Sequence, residues 1–211
     1  METPGDIFAV LMAAGFSRRF GAQNKLLVPF RGKPLARYTL ELACSLDCFS
    51  GIFCAAASDD VAVLAAGLPI TLVRNAAPEK GQRESVRLGV QAAAVFLSAA
   101  GRAAENAYYL FLPCDQPLLD AATLRLMINA RQKGRIVEPR FQGRSGAPSL
   151  FSGVFHDELL ALGEGELPRI IKTRHREAIV PVEIQDPSVL LDIDTPEDLR
   201  RLELSSASGT G

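Results

Sequence analysis

Short apolar runs of the kind found in buried strands alternate with longer helix-like segments along nearly the whole chain. The predicted strands are Ile7–Ala13, Ile52–Ala57, Ile70–Val73, Ala107–Leu112, Ile136–Glu138, Pro148–Phe151, Ala178–Glu183 and Val189–Leu191. The predicted helices are Pro34–Leu46, Asp59–Ala66, Arg83–Ala100, Ala121–Lys133, Val154–Leu162, Pro168–Thr173 and Thr195–Leu204. Because strands joined through helices usually pair in parallel, with the helices on both faces, we predict an α/β fold with three α/β/α layers and a mostly parallel sheet.

The length of 211 residues fits one domain of this class, which we place at residues 1–204. Its last helix has a clear start signal, with Thr195 as N-cap, Pro196 in the first turn and Asp198 three residues after the cap. Residues 205–211 contain no apolar anchor, and we predict a disordered tail there. In parallel sheets ligands bind beyond the carboxyl ends of the strands, so residues that follow predicted strands are the functional candidates.

A small, glycine-containing and basic loop follows the first predicted strand and extends from Met12 to Lys25. A loop of this kind brings backbone N–H groups close to a polyphosphate, while fixed cations such as Arg18, Arg19 and Lys25 neutralise it. The loop lacks both the Walker A pattern and the G-x-G-x-x-G dinucleotide fingerprint. It therefore predicts a nucleoside triphosphate site in another architecture.

Acidic residues follow two other predicted strands. Asp115 lies at the end of one of them, where it suits Mg²⁺, which prefers carboxylate oxygens and substrate phosphates. The alternative for Asp115 is to cap the helix near Asp120–Thr123 or to shape a turn. Asp192 and Asp194 point the same way on an extended chain, which favours a shared cation. Asp194 also lies beside the last helix and could serve only its positive end, so Asp192 is the better second ligand.

The polar segment from Asn75 to Gly89 leads from a predicted strand into a helix. Ser85 and the amides of the first helical turn could contact a base or a phosphate. Equally, Ser85 could be an N-cap and Arg83 a solvated surface charge.

Two further glycine-rich segments carry arginine. Residues Gly143 to Phe151 could form a wall for an anionic second substrate or a plain hairpin connection. Residues Gly163 to Arg169 read as a turn between helices, with Arg169 in a position that could face phosphate.

Composition excludes several classes of function. The net charge of −1 and the pI of about 6.2 give no general attraction to nucleic acid or to anionic membranes. No apolar run approaches the roughly 20 residues of a membrane span. The short acidic start is unlike a secretory signal, and we expect a cytoplasmic protein. The four cysteines form no C-x-x-C pair, and His156 and His175 alone do not support a zinc site or a nucleophilic triad.

The loop resembles L-A-A-G-x-S-x-R-M-G-x-x-x-K, the nucleotide loop of nucleotidyltransferases with a glycosyltransferase-A-like, Rossmann-type fold. Here Met12 replaces the Leu and Phe20 replaces the Met. Within that superfamily the chain is similar to molybdenum cofactor cytidylyltransferases of the MobA-like NTP transferase family. The segments that carry this similarity are Asn24–Leu27, Pro113–Pro117, Gly146–Phe151 and Asp192–Leu199. The resemblance is colinear over nearly the whole chain and implies a Rossmann-like sheet of the nucleotide-diphospho-sugar transferase type.

The activity implied by this resemblance is transfer of CMP from CTP to the terminal phosphate of the molybdopterin cofactor, with release of pyrophosphate. By resemblance, Arg19 and Lys25 hold the triphosphate, and Asp115 with Asp192 holds Mg²⁺ or Mn²⁺. The implied catalytic residues are therefore Arg19, Lys25, Asp115 and Asp192. The implied nucleotide contacts are Ala13, Ala14, Gly15, Ser17, Arg18, Asn75, Gly81 and Ser85. The implied partners are CTP, the molybdopterin cofactor, and a molybdoenzyme or its chaperone that receives the product.

Ala14 bears on the choice of base. The guanylyltransferase branch of the superfamily carries Gly there, and a Cβ at this position would narrow the pocket, which favours CTP. Isoprenoid-pathway cytidylyltransferases share the first loop but carry H-D-A-A-R-P where this chain has Pro113-Cys-Asp-Gln-Pro117. Three alternatives stay open: a guanylyltransferase, another NTP transferase with a different phosphorylated acceptor, and a nucleotide-sensing or cofactor-chaperone protein that is not an enzyme.

Overall fold

A computed structural model describes residues 5–14, 20–21 and 23–207 of the chain, with the side chains of residues 205–207 left out. The strands are β1 (Ile7–Ala13), β2 (Pro29–Phe30), β3 (Lys33–Pro34), β4 (Gly51–Ala56), β5 (Thr71–Arg74), β6 (Tyr108–Pro113), β7 (Ile136–Phe141), β8 (Arg144–Ser145), β9 (Ser149–Ser152) and β10 (Ile179–Glu183). The helices are α1 (Leu35–Cys44), α2 (Asp59–Val63), α3 (Gln82–Ala99), α4 (Ala121–Asn129), α5 (His156–Leu160), α6 (Arg169–Arg174) and α7 (Pro196–Ala207).

The central sheet has the order β10-β7-β9-β6-β1-β4-β5, with β8 paired to β7. The neighbours β6, β1, β4 and β5 run parallel, as do β7 and β10, whereas β9 is antiparallel to both β6 and β7. The separate pair β2 and β3 forms a small hairpin before α1. The predicted mostly parallel sheet is confirmed.

Alternate side chains of β1 enter different cores, because successive residues of a strand face opposite sides of the sheet. Ala9 and Leu11 pack with α1, α2 and α4, whereas Phe8 and Val10 pack with α3, α5 and α6. Both sets are buried, so β1 is covered on each face. This is the predicted three-layer α/β/α arrangement.

Gly89 lets α3 lie directly on β1. A Cβ at this position would be 2.3 Å from Cγ1 of Val10, which no ordinary contact permits. The close approach fixes the amino end of α3 near the carboxyl end of β1.

Several predicted boundaries differ from the structure. Val189–Leu191 is not extended: Pro187–Leu190 forms a 3-10 helix instead. The segment after β7 is a hairpin, since Gln142 and Gly143 have positive φ and join β7 to β8. Helix α7 continues to Ala207, three residues past the predicted end, and residues 208–211 of the predicted tail lie outside the described residues. No helix in the described ranges is long and apolar enough to span a membrane.

Candidate active site

A cavity of about 280 Å³ opens at the carboxyl edge of the sheet. The strands that support it end nearly level, since Met12 is paired with Pro113 and Ala13 with Ala56. Its walls come from segments far apart in the sequence: Met12, Ala14, Lys25, Leu26, Pro78, Gly81, Gln82, Ser85, Pro113, Asp115 and Asp194. The predicted convergence of strand-end segments at one edge is therefore present.

Lys25 lies between two carboxylates in this cavity. Its Nζ is 2.7 Å from Oδ2 of Asp115 and 2.9 Å from Oδ1 of Asp194. Lys25 is 9% exposed and belongs to a short 3-10 helix, Lys25–Leu27, which Asn24 caps by accepting a hydrogen bond from the amide of Leu26. Burial alone would lower the pKa of the Lys25 ammonium, but the charges and hydrogen bonds of Asp115 and Asp194 outweigh it and raise this pKa.

Asp115 has a free carboxylate oxygen. Its Oδ1 is buried and has no hydrogen-bond partner among the residues that the structure describes, whereas Oδ2 accepts from Lys25. The carbonyl of Asp115 accepts a hydrogen bond of 2.9 Å from the amide of Ile193, which fastens the end of β6 to the segment before α7. Neither alternative for Asp115 accounts for the free oxygen, and the cap of α4 is Asp120.

The two acidic residues before α7 flank the buried Ile193. Asp194 contacts Lys25, and the cap of α7 is made by Thr195 and Asp198, whose side chains accept hydrogen bonds from each other's amides at 2.8 Å and 3.1 Å. The carboxylate of Asp194 therefore does more than serve the helix end.

Asp192 reaches solvent, yet nearby protein atoms exclude enough water to raise the pKa of its carboxyl to about 6, and the charge of Asp115 acts in the same direction. A hydrogen bond with Gln116 opposes this rise.

A small apolar cluster joins the segments that carry Lys25 and Asp194. Phe30, Leu35, Ile193 and Leu202 are buried together beneath Tyr38 and Leu199. The cluster joins the hairpin after Lys25 to α1, to the segment of Asp194 and to α7. The distance between Lys25 and Asp194 consequently depends on the packing of α7.

The amino end of α3 forms the opposite wall. Gly81 is its N-cap and has a φ of 73°, and Gln82 and Ser85 line the cavity with it. The alternative that Ser85 is the N-cap is wrong, because Ser85 lies inside the first turn and is buried. Free amides and the helix dipole make this end suitable for an anion.

Asn75 lies beneath that wall and does not line the cavity. Its Nδ2 donates to Oγ of Ser85 at 3.3 Å, and its Oδ1 accepts from the amide of Ala77 at 3.0 Å. Arg83 is not a solvated charge either, since it donates to the carbonyl of Leu162 at 3.3 Å. Ala14 lines the cavity, whereas Ala13 remains in β1. The predicted positions Gly15, Ser17, Arg18 and Arg19 lie outside the described residues.

Gln116 is a further residue of the site, and no sequence motif assigned it a role. It is 1% exposed, and its Nε2 donates to the carbonyls of Ala147 and Leu190, each at 3.2 Å. It therefore ties the end of β6 to the cis Ala147–Pro148 peptide and to the segment before Asp192. Only its place next to Asp115 could have signalled this.

The other nucleophile candidates are structural. Burial raises the pKa of the Cys114 thiol well above its usual value. His156 shares a 2.7 Å hydrogen bond with the hydroxyl of Tyr109, and His175 a 2.8 Å hydrogen bond with Glu158. Within the described ranges, no three His, Cys, Asp or Glu side chains converge as a metal site of their own.

Comparisons with known proteins agree with this geometry. A family model described as MobA-like NTP transferase domain matches residues 9–179. The chain is similar to purine catabolism protein PucB of Bacillus subtilis (strain 168), with 28% identity over 204 residues that cover 91% of this chain and 93% of PucB. It is also similar to nicotine blue oxidoreductase of Paenarthrobacter nicotinovorans, with 23% identity over 205 residues that cover 93% of this chain and 96% of that protein.

Among solved structures, that of Rv0371c from Mycobacterium tuberculosis H37Rv has a TM-score of 0.75 and 27% identity, and the match covers 96% of this chain and 100% of Rv0371c. A structure of Rv0371c in complex with manganese has a TM-score of 0.67 and 23% identity over the same shares of the two chains. Both have the fold described above.

Proposed function

Because this chain belongs to the MobA-like NTP transferase family, we propose that it is a cytidylyltransferase that transfers CMP from CTP to the terminal phosphate of the molybdopterin cofactor. The observation that carries this proposal is the contact of Lys25 with both Asp115 and Asp194 at a cavity whose other wall is the amino end of α3. The cavity is thus surrounded by a buried cation, by the amides of a helix end and by carboxylates that can bind a metal ion. These are the groups that a triphosphate in transfer requires.

The donor set fits a divalent cation. Among the described residues, nothing donates a hydrogen bond to the buried Oδ1 of Asp115, and Asp192 supplies a second carboxylate from the segment before α7. Asp115 with Asp192 would hold Mg²⁺ or Mn²⁺, and the manganese complex of Rv0371c motivates the second of these ions. A bound cation would neutralise charge on the α- and β-phosphates of the nucleotide.

The proposed reaction is an in-line displacement. An oxygen of the acceptor's terminal phosphate forms a bond to the α-phosphorus of CTP, and the bond from that phosphorus to the oxygen bridging to the β-phosphorus breaks. Pyrophosphate leaves with that oxygen and its electron pair. Lys25 and the amides of α3 bind the triphosphate, and Asp194 keeps the Lys25 ammonium charged and oriented.

Ala14 supports cytosine as the base. It lines the cavity and is 8% exposed, so its Cβ occupies space at the end of β1 that a glycine would leave open. A pyrimidine needs less depth than a purine. We place the activity in the cytoplasm and expect a molybdoenzyme or its chaperone to receive the product.

Pyrophosphate release with CTP, GTP, ATP and UTP, each with and without molybdopterin, tests the proposal. We expect release with CTP alone among the nucleotides and only with the cofactor. Preference for GTP would overturn the base assignment and favour a guanylyltransferase. Release that needs a different phosphorylated acceptor would favour another transferase of the family. Nucleotide binding without release for any acceptor would favour a sensing or chaperone protein.

A further inference from the structure

A second cavity, of about 550 Å³, lies on the same side of the sheet as α3, between the hairpin of β7 and β8, helix α6 and strand β10. We call it the basic groove. Its lining includes four cations around one acid and an apolar floor: Arg140, Arg169, Lys172, Arg176, Glu138, Ile179 and Pro181. A cavity of this size holds a small molecule.

The acid does not balance the cations. Glu138 is buried and accepts hydrogen bonds from the hydroxyl of Ser145 and, at 2.9 Å, from Nζ of Lys172. Burial alone would raise the pKa of Glu138, but these bonds and the charge of Lys172 lower it, so the carboxylate stays charged. Arg140 lies 3.6 Å from the same carboxylate. Glu138 thus holds two of the four cations in place.

The two remaining cations are unpaired within the described part of the chain. The guanidinium groups of Arg169 and Arg176 make no hydrogen bond or ion pair with any residue that the structure describes. Both residues are exposed at the groove. An arrangement with surplus positive charge stands out in a chain whose net charge is −1, and it favours a negatively charged ligand.

Strand pairing and hydrogen bonds link the walls of the groove to those of the candidate active site. Phe111 of β6 is paired with Ser149 of β9, and Val137 of β7 is paired with Leu150, which places Glu138 in the same row across the sheet. Two strand spacings separate β7 from β6, about 10 Å. Lys172 donates to Oγ of Ser149 at 3.2 Å, and Gln116, next to Asp115, donates to the carbonyl of Ala147. The segment of residues 147–149 therefore lies between the two cavities.

We propose that the basic groove binds an oxyanion group of the acceptor substrate other than the phosphate that attacks the nucleotide. The inference rests on the proposed function, because only a transferase has an acceptor. An acceptor of this class carries anionic groups at two separate places, and the nearer one reaches the cavity of Asp115. Arg169 and Arg176 bind the distant oxyanion, while Ile179 and Pro181 contact the body of the molecule.

The test compares wild type, the double variant Arg169→Gln/Arg176→Gln, and a matched control, Arg125→Gln/Lys133→Gln. The control removes the same charge from exposed positions on and after α4 that do not line the groove. The groove arginines are exposed and pair with none of the described residues, so their loss leaves no buried charge and should spare folding. We expect the KM for molybdopterin to rise about tenfold or more in the groove variant, since hydrogen bonds to charged groups are of that strength. The KM for CTP and kcat at saturation should stay within about twofold.

A binding measurement separates failure of this inference from failure of the proposed function. Inorganic phosphate is titrated into CTP-saturated protein and followed by NMR, so that the nucleotide cavity is already filled. We expect phosphate to bind wild type and control alike and the groove variant about tenfold more weakly. Equal phosphate affinity, or an unchanged KM for molybdopterin, would overturn the inference. If wild type lacks turnover with CTP and molybdopterin, the proposed function fails, and the phosphate titration alone decides for or against the groove.

Discussion

A single ammonium group, that of Lys25, contacts two carboxylates that are distant from it and from each other in the sequence. Asp115 and Asp194 are 90 and 169 residues away in the sequence, and each lies within 3 Å of this nitrogen. The sequence pattern predicted Lys25 and Asp115 as site residues but could not reveal their direct contact. Such a contact depends on how the ends of strands are arranged in space.

Replacement of Lys25 with Gln should lower pyrophosphate release about a hundredfold or more, because a preorganised charge that faces the phosphates is lost. The KM for CTP should rise as well. Lys33→Gln is the control, since Lys33 contacts Glu41 at a partly exposed position away from the cavity. Retention of more than a tenth of wild-type turnover in Lys25→Gln would contradict this role.

Substitutions of the two acidic residues before α7, Asp192 and Asp194, should differ in their effect on metal affinity. Asp194 already contacts Lys25, whereas Asp192 forms no ion pair with any described residue and lies near Asp115. We expect Asp115→Asn and Asp192→Asn to weaken Mn²⁺ binding, followed by EPR in the presence of CTP, about tenfold or more. Asp194→Asn should change Mn²⁺ affinity about threefold or less and should lower turnover through Lys25. A larger loss of Mn²⁺ affinity in Asp194→Asn than in Asp192→Asn would reverse the assignment of the second ligand.

At the scale of elements, the packing of α3 on β1 positions two walls of the cavity. Val10 lies on the face of β1 that meets α3, and Gly89 lies on the facing side of the helix. No hydrophobic pattern distinguishes this glycine from any other small residue in a helix. Its function becomes visible only when the position of a missing Cβ is known.

Gly89→Ala should destabilise the protein by about 1–3 kcal/mol, because the added methyl group overlaps with Val10 and this cost exceeds the usual gain in helix propensity. Chemical denaturation of Gly89→Ala, Val10→Ala and the double variant measures the effect. The double variant should be more stable than the sum of the single losses implies, since Val10→Ala removes the overlapping atoms. Strict additivity would show that the overlap is relieved in another way. Gln91→Ala, at an exposed position of the same helix, serves as the control.

At the scale of the whole molecule, stability should depend on the charge of His156. This residue links α5 to β6 through the hydroxyl of Tyr109, and burial lowers its pKa below the ordinary value. Because the pKa of this histidine is lower in the folded protein than in the unfolded chain, where it is about 6.5, the unfolded chain binds the proton more readily. Its contribution to stability is therefore complete above about pH 6.5 and is lost as the pH falls below that value. The free energy of unfolding should therefore decrease between about pH 7 and pH 5, and less steeply in His156→Gln. Equal slopes for the two proteins would contradict this assignment.

The alternation of elements was enough to predict the layers, and the carboxyl edge followed from the parallel strands. The antiparallel β9 and the hairpin of β7 and β8 were harder to predict from the sequence. The chain reverses its direction there, and this reversal depends on the turn conformations of Gln142 and Gly143. The basic groove was even harder to predict from the sequence. Arg144 and Arg169 drew attention as isolated cations, whereas Arg140, Lys172 and Arg176 join Arg169 only after α6 packs beside β7 and β10.

The contact between Lys25 and Asp194 has a consequence for the protein during its synthesis. The chain leaves the ribosome from the amino end, so β1 and the nucleotide loop emerge long before Asp194 and α7. Until then, Lys25 lacks its contact with Asp194, and the cluster of Phe30, Leu35, Ile193 and Leu202 is incomplete. A nascent chain without these residues should therefore hold no competent site, and nucleotide transfer should begin only after Asp194 and α7 have emerged from the ribosome.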